Sequence, residues 1–322
     1  MKNLLLGVTA LVVALVALVV YSYNSFRGDR LEDLRSGSEV IETRIGPVEY
    51  VLEGAGDQVV LSIHGTPGGY DQRFGLDGFQ VLAPSRPGYL RTPIDAGRTP
   101  REQADAYVAL LDALSIDEVV IMGLSGGGPS SMTFAAAYPE RTRALIALEA
   151  VSNSDLPDIP APAFLAGDFT AWLSLSMFKR AVGTEGLLEM FSPDPENQRL
   201  VLESEEKTAA FEGLMWSLWP PSQRGDGLAN DEKQFDALDL PLAEVRVPTL
   251  AIHGTADAAV PVAHASFLAD RVPQAQLHII EGADHLMPVS HQEEVVRVIT
   301  EFIDGLDDQA DEGSEESQEN TE

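Results

Sequence analysis

From residue 4 to residue 20 the chain reads LLLGVTALVVALVALVV without one charged side chain, and the apolar run extends to Tyr23. At a rise of about 1.5 Å per residue, a helix of this length spans roughly 30 Å, the hydrocarbon thickness of a bilayer. Because it is apolar on every side, it does not read as an amphipathic helix facing a core. The competing reading is a cleaved signal peptide, but such a segment has a shorter apolar region ending in a small-x-small site. Here YSYNSFRG supplies bulky and polar residues instead. Residues 1–26 are therefore expected to form an uncleaved single-pass membrane anchor with its flanks, with Tyr21 and Tyr23 suited to the interface. Lys2 and the amino terminus nearly balance Arg27, Arg30 and Arg35 across the span, so charge does not assign the side on which the rest of the chain lies.

Beyond a polar linker at 27–37 the period of the pattern changes. EVIETRI and PVEYVLE, joined at Gly46 and Pro47, predict an opening antiparallel pair. Six further β-rich runs follow: Val59–Ile63, Phe79–Ala83, Val119–Met122, Ala144–Leu148, Thr249–Ile252 and Gln276–Ile280. Apolar residues at helical spacing predict helices over Thr99–Leu114, Gly126–Tyr138, Val262–Asp270 and Gln292–Ile303. Strands alternating with helices imply an α/β fold with an eight-stranded, mostly parallel sheet flanked by helices. Residues 152–240 break the rhythm, with Pro157, Pro160 and Pro162, helical segments rich in Trp and Met, and no convincing strand. The expected organisation is a core in two parts, 38–151 and 241–304, interrupted by a helical cap at 152–240 and followed by an acidic, disordered tail at 305–322.

One motif stands at the end of a predicted strand and the start of a predicted helix: GLSGGGPS, residues 123–130. A strand that turns into a helix through a single residue strains that residue and brings the neighbours two before and two after into near contact. Gly123 and Gly127 suit those crowded positions, and Ser125 is then exposed at the carboxyl edge of the sheet, where the helix amides favour a developing oxyanion. A phosphate loop would require Lys after the glycines, and Pro129 and Ser130 stand there instead.

A serine hydroxyl at its ordinary pKa is a weak nucleophile and needs a histidine base with an acid to orient it. Of six histidines, His64 and His253 close strands before glycine, His264 and His278 lie within elements, and His291 opens the last helix. His285, in EGADHLMP, sits in a short loop after the final strand, at the same sheet edge as Ser125. Asp257, in AIHGTADAAVP, occupies the loop after the preceding strand; taken singly it also reads as a helix cap. Glu149, ending the strand after the serine helix, is a second possible acid position. SIHGTPGGY places a glycine-rich loop after the first central strand. Pro67 has no amide hydrogen, which leaves the Thr66 amide to pair with that of Gly126 as oxyanion donors.

Composition narrows the partners. With 51 acidic against 21 basic residues the formal charge is -30, which argues against nucleic acid as a partner. Residues 304–322 hold nine of those acids and no Lys or Arg. There is no cysteine, so disulfides, thiol catalysis and thiolate metal sites are excluded.

HGTPGG at 64–69, SRPGYLRTP at 85–93, GLSGGGP at 123–129, HGTAD at 253–257 and GADH at 282–285 occur in an order and spacing that resemble the α/β-hydrolase superfamily. The likeness is to its single-domain serine hydrolases with a helical cap, over roughly residues 39–304. It implies a mechanism without cofactor or metal: Ser125 attacks a carbonyl, His285 takes and returns the proton, Asp257 steadies His285, and water resolves the acyl-enzyme. Leu90 departs from the RPGYG of many relatives. An aspartate nucleophile, as in dehalogenases and epoxide hydrolases of this fold, is not what stands at 125. The expected substrate is a small, apolar acyl compound, since Phe164, Phe169, Trp172, Phe178, Trp216 and Trp219 populate the cap. Ester cleavage is the primary expectation. An aminopeptidase, a carbon-carbon bond hydrolase and a binding protein on the same fold remain as alternatives.

Overall fold

The computed structural model describes residues 1–158 and 166–319, with side chains of the last helix described to Leu306. Pro160, Pro162 and Phe164 of the cap lie outside the described residues.

Eight strands form a single sheet: β1 (Glu39–Thr43), β2 (Gly46–Gly54), β3 (Val59–Ile63), β4 (Gln80–Pro84), β5 (Val119–Leu124), β6 (Thr142–Leu148), β7 (Thr249–Gly254) and β8 (Ala275–Ile280). Their order across the sheet is β1-β2-β4-β3-β5-β6-β7-β8. β2 runs antiparallel to both of its neighbours, and the pairs from β4 to β8 are parallel. The hairpin between β1 and β2 turns with Thr43 opposite Gly46, as the sequence predicts.

Helices α2 (Pro100–Leu114) and α3 (Gly128–Ala137) cover one face. α2 starts with a capping box between Thr99 and Glu102 and carries Pro100 in its first turn, which satisfies its first amides. The alternation of the strands divides the core in two. Leu61, Ile63 and Ile121 pack with Leu110, Leu111 and Phe134 on that face. Val60, Val120, Met122 and Ile252 pack on the other face, against Val295, Ile299 and Ile303 of the last helix.

Among the described residues, the stretch expected to form the cap is built of helices. It comprises α4 (Asp168–Phe191), α5 (Pro195–Leu202), α6 (Glu205–Trp216) and α7 (Gly225–Phe235), with α4 kinked at Gly183, where φ is +71°. After it come α8 (Ala263–Ala269), α9 (Met287–Ser290) and α10 (Gln292–Glu319).

Two boundaries differ from expectation. The N-terminal helix α1 runs unbroken over Lys2–Ser36, so residues 27–36 are helix rather than linker. Phe26, Leu31 and Leu34 explain this: Phe26 and Leu31 pack with Trp172, Trp216 and Trp219 of the cap, and Leu34 is buried. Arg30 pairs with Asp71 at 3.3 Å, and the Tyr70 hydroxyl donates to the Leu34 carbonyl at 2.8 Å. At the other end, α10 continues to Glu319 through residues whose acidity suggested a disordered tail. That stretch contains no proline, and its Glu, Gln and Ala residues are good helix formers.

Candidate active site

Ser125 follows β5 directly and opens a single 3-10 turn, Ser125–Gly127, before α3 begins. Its φ is +46°, the left-handed region that costs a non-glycine residue free energy and points its hydroxyl out of the turn. The glycines around it are there for clearance. A Cβ on Gly123 would stand 2.7 Å from the Ser131 Oγ, and one on Gly127 would stand 2.5 Å from the Ile63 carbonyl oxygen.

The loops after β7 and β8 bring the other two residues to this edge. His285 Nε2 lies 3.0 Å from Ser125 Oγ, and its Nδ1 lies 2.7 Å from Asp257 Oδ2. An ionised carboxylate only accepts, so Nδ1 carries a hydrogen, and in the neutral imidazole Nε2 is the nitrogen left to accept from the serine. Asp257 also caps its own loop, its Oδ1 accepting from the amides of Ala259 at 2.9 Å and Val260 at 2.8 Å. The helix-cap reading fails, because α8 begins at Ala263 with Val262 at its N-cap and no side-chain cap bond; Asp257 instead closes a turn in its loop while its other oxygen faces the imidazole.

Burial alone would raise the Asp257 carboxyl. Hydrogen bonds from His253 and His285, the charge of His285 and the Val260 amide outweigh it and hold the group well below the usual carboxylate range. For His285, burial would lower the imidazole, but the negative field of Glu149, followed by the hydrogen bond and charge of Asp257, pushes it up to about 9. Glu149 sits at the end of β6 with φ +44°, buried, with Oε1 4.0 Å from His285 Nδ1 and no hydrogen bond to Oε2. Burial raises its carboxyl well above the ordinary value, opposed by the positive charge of His285. Both acids weighed from the sequence thus face the same imidazole, with Asp257 the one that bonds to it.

The HGTPGG loop lies over the serine. A Cβ on Gly65 would stand 3.1 Å from Ser125 Cβ, and a Cβ on Gly126 would collide with the Thr66 hydroxyl. The loop is shaped by His64, which accepts from the Arg86 amide at 2.9 Å and donates to the Gly65 carbonyl at 2.8 Å. Burial, then the charge of Arg86, keeps this histidine neutral, with a pKa well below 6.5. His64 is a structural residue.

Several residues at this site carry no role in the motif reading. Asp231 of α7 accepts from the Thr66 hydroxyl at 2.5 Å, the Tyr89 hydroxyl at 2.6 Å and both terminal nitrogens of Arg86 at 2.9 and 2.5 Å. Phe235, one turn further along α7, brings its Cζ to 3.1 Å from where a Gly126 Cβ would be. Arg224 donates to the Gly68 carbonyl and pairs with Asp71 at 2.8 Å. Asp284 accepts from the Ser192 hydroxyl and adds to the negative field on His285. Arg86 and Tyr89 stand in the quoted SRPGYLRTP motif, but nothing in the sequence marks which of 51 acids meets them. The cap aromatics Trp172, Trp216 and Trp219 pack against α1.

An eight-stranded sheet with a serine at the strand-helix turn, a histidine and acid on later loops and a helical cap defines the α/β hydrolases, and the chain belongs to that family. The α/β hydrolase fold profile matches residues 58–292. The chain is 27% identical over 259 residues to an uncharacterized hydrolase of Bacillus subtilis, covering 75% of this chain and 89% of that protein. It is 30% identical over 235 residues to a 2-hydroxymuconate semialdehyde hydrolase of Pseudomonas putida, covering 70% and 76%. Among solved structures, an α/β hydrolase fold protein from Nakamurella multipartita superposes with a TM-score of 0.75 at 30% identity, covering 82% of this chain and 98% of that one. A thermophilic esterase from Thermogutta terrifontis superposes at 0.60 with 25% identity, covering 84% and 98%.

Proposed function

We propose that this protein is a membrane-anchored serine esterase that cleaves an uncharged carboxylic ester through an acyl-enzyme. The observation that carries the reading is the unbroken chain Asp257–His285–Ser125 beneath the Thr66 and Gly126 loop. His285 Nε2 takes the Ser125 proton as Oγ bonds to the ester carbonyl carbon, and the negative oxygen so formed is held by the amides of Thr66 and Gly126. The carbon-oxygen bond to the alcohol then breaks, with the proton passing from His285 to the leaving oxygen. Water, deprotonated by His285, attacks the acyl carbon, and Ser125 leaves with that proton.

Charge favours a neutral substrate. Relatives are named as hydrolases of a dienoate and of dienedioates, which are carboxylates that call for a cationic contact. Here the two arginines beside the oxyanion loop, Arg86 and Arg224, are buried and paired with Asp231 and Asp71. The site adds Asp257 and Asp284, both buried. Carbon-carbon hydrolysis is kept as a second reading by the 30% identity to the semialdehyde hydrolase.

The anchor reading rests on α1, which is long and apolar enough to cross a bilayer and has none of its most apolar window buried. A fluorophosphonate probe should label the wild type and not Ser125→Ala. Neutral esters should be turned over faster than dienoates or aminoacyl amides, and the protein should stay with membranes through alkaline extraction. An unlabelled wild type that turns over none of these substrates would overturn the catalytic reading.

A further inference from the structure

The Asp231 carboxylate is nearly dry, with 2% of the residue exposed, and it belongs to the cap rather than to the core that carries the triad. Its partners all come from the core: Thr66 from the loop after β3, and Arg86 and Tyr89 from the loop after β4. Arg86 is itself 1% exposed and also donates to the Thr66 hydroxyl at 2.9 Å and to the Gly65 carbonyl at 3.2 Å. The Thr66 hydroxyl is thus fixed from two sides, and its single hydrogen goes to Asp231.

α7 cannot slide away from this contact cheaply. The Gly227 amide donates to the Gly88 carbonyl at 2.9 Å, the Leu90 amide donates to the Gln223 carbonyl at 2.7 Å, and Asn230 donates to the Arg98 carbonyl at 2.8 Å. A Cβ on Gly227 would collide with the Tyr89 ring, so the helix meets the loop with no room for a side chain there. Separating a buried acid from a buried arginine is also strongly unfavourable, because it leaves two uncompensated charges.

We propose that Asp231 is a positioning residue for the oxyanion hole: it holds the Thr66 hydroxyl, and through it orients the Thr66 amide toward the carbonyl oxygen of a substrate on Ser125. The inference rests on the esterase reading. It makes the cap part of the catalytic frame, since the acid that sets one oxyanion donor is supplied by α7. An oxyanion donor acts on charge that develops in the transition state, so a misaligned Thr66 amide lowers kcat and leaves ester binding in place.

The test uses the full-length protein and a neutral ester, with three variants. Thr66→Val removes the hydroxyl, keeps shape and amide, and leaves Asp231 its Arg86 and Tyr89 partners. Asp231→Asn removes the charge, and Thr66→Ser restores a hydroxyl. Thr66→Val and Asp231→Asn are each expected to lower kcat by about 10- to 100-fold, below the ~100- to 1000-fold loss of an entire donor, with KM within about threefold. Thr66→Ser should return kcat to within about threefold of wild type. The double variant should be no slower than the slower single one, because both act on one linkage. Affinity for an aliphatic boronic acid, whose tetrahedral adduct places an oxygen in the hole, should fall in step with kcat. If Asp231→Asn does not fold, Thr66→Val and Thr66→Ser decide the matter alone. A Thr66→Val enzyme with wild-type kcat, or losses that multiply in the double variant, overturns the proposal while leaving the esterase reading intact. A wild type inert to esters and fluorophosphonate overturns the reading beneath it.

Discussion

Replacing Glu149 by glutamine tests the electrostatics of the site most directly, because it removes one charge and little volume. Glu149 Oε1 stands 4.0 Å from His285 Nδ1. Two unit charges at that distance interact by ~4 kcal/mol at an effective dielectric of about 20, equivalent to ~3 pKa units. The His285 side chain keeps 28% of its exposure, and solvent reaching it trims the effect to about 2 units. With Glu149 charged, His285 is pushed up to about 9. Without that charge the hydrogen bond and field of Asp257 remain, and the imidazole pKa falls from there toward its ordinary range.

The direction for activity follows from which form works. Only neutral imidazole accepts the Ser125 proton, so activity rises with pH through the His285 pKa, and a lower pKa carries the rise to lower pH. The assay is kcat/KM for a neutral ester across pH 5 to 10 in wild type and Glu149→Gln, which reports the free enzyme. The acid limb should move down, by at most about 2 units, because burial raises the Glu149 carboxyl and its field acts on His285 only where it is ionised. A variant whose midpoint stays within about half a unit of the wild type would refute the reasoning, because it would mean that Glu149 holds its proton throughout and exerts no field on the base.

Asp257→Asn should lower kcat by roughly 10³- to 10⁴-fold with little change in KM, since an amide presents the wrong partner to Nδ1; stopped assays on purified protein measure this. Trp219→Ala removes a side chain with 0% exposure whose indole donates to the Asp168 carbonyl at 3.0 Å. It should cost about 3 to 5 kcal/mol, read from the urea midpoint. Deleting residues 1–18 should leave the melting temperature of detergent-solubilised protein unchanged. Deleting 1–36 should lower it, because that cut strips Tyr23, Phe26 and Leu31 from Trp172 and Trp219.

Much of this site is readable in the chain because its constraints are local. Gly123 and Gly127 are dictated by the turn at Ser125, and the loops that end β7 and β8 place Asp257 and His285 by their order alone. Strand positions follow from apolar runs buried on both faces, such as Val119–Met122. What the pattern hides is pairing across long separations. Asp231 meets Thr66 across 165 positions and Arg86 across 145, and no periodicity or spacing distinguishes it from other acids on a helix. The end of α1 is hidden for a similar reason. Arg27 to Arg35 looks like a solvated linker until Leu31, Leu34 and Arg30 find partners in the folded core.

Those hidden pairs share one destination. Arg30 of α1 and Arg224 of the cap both reach Asp71, just beyond the glycine-rich loop, and Arg224 also donates to the Gly68 carbonyl inside it. Asp231 reaches the same loop at Thr66. Buried ion pairs are a poor source of net stability, because desolvation consumes most of the Coulomb attraction, and apolar residues of like volume would serve a core as well. Their concentration around residues 64–71 therefore fits a demand for geometry. A glycine-rich loop has few side chains of its own to fix its backbone, yet an oxyanion donor must be aimed to within a fraction of an ångström. Charged contacts brought in from α1 and the cap supply the orientation that the loop's own sequence cannot.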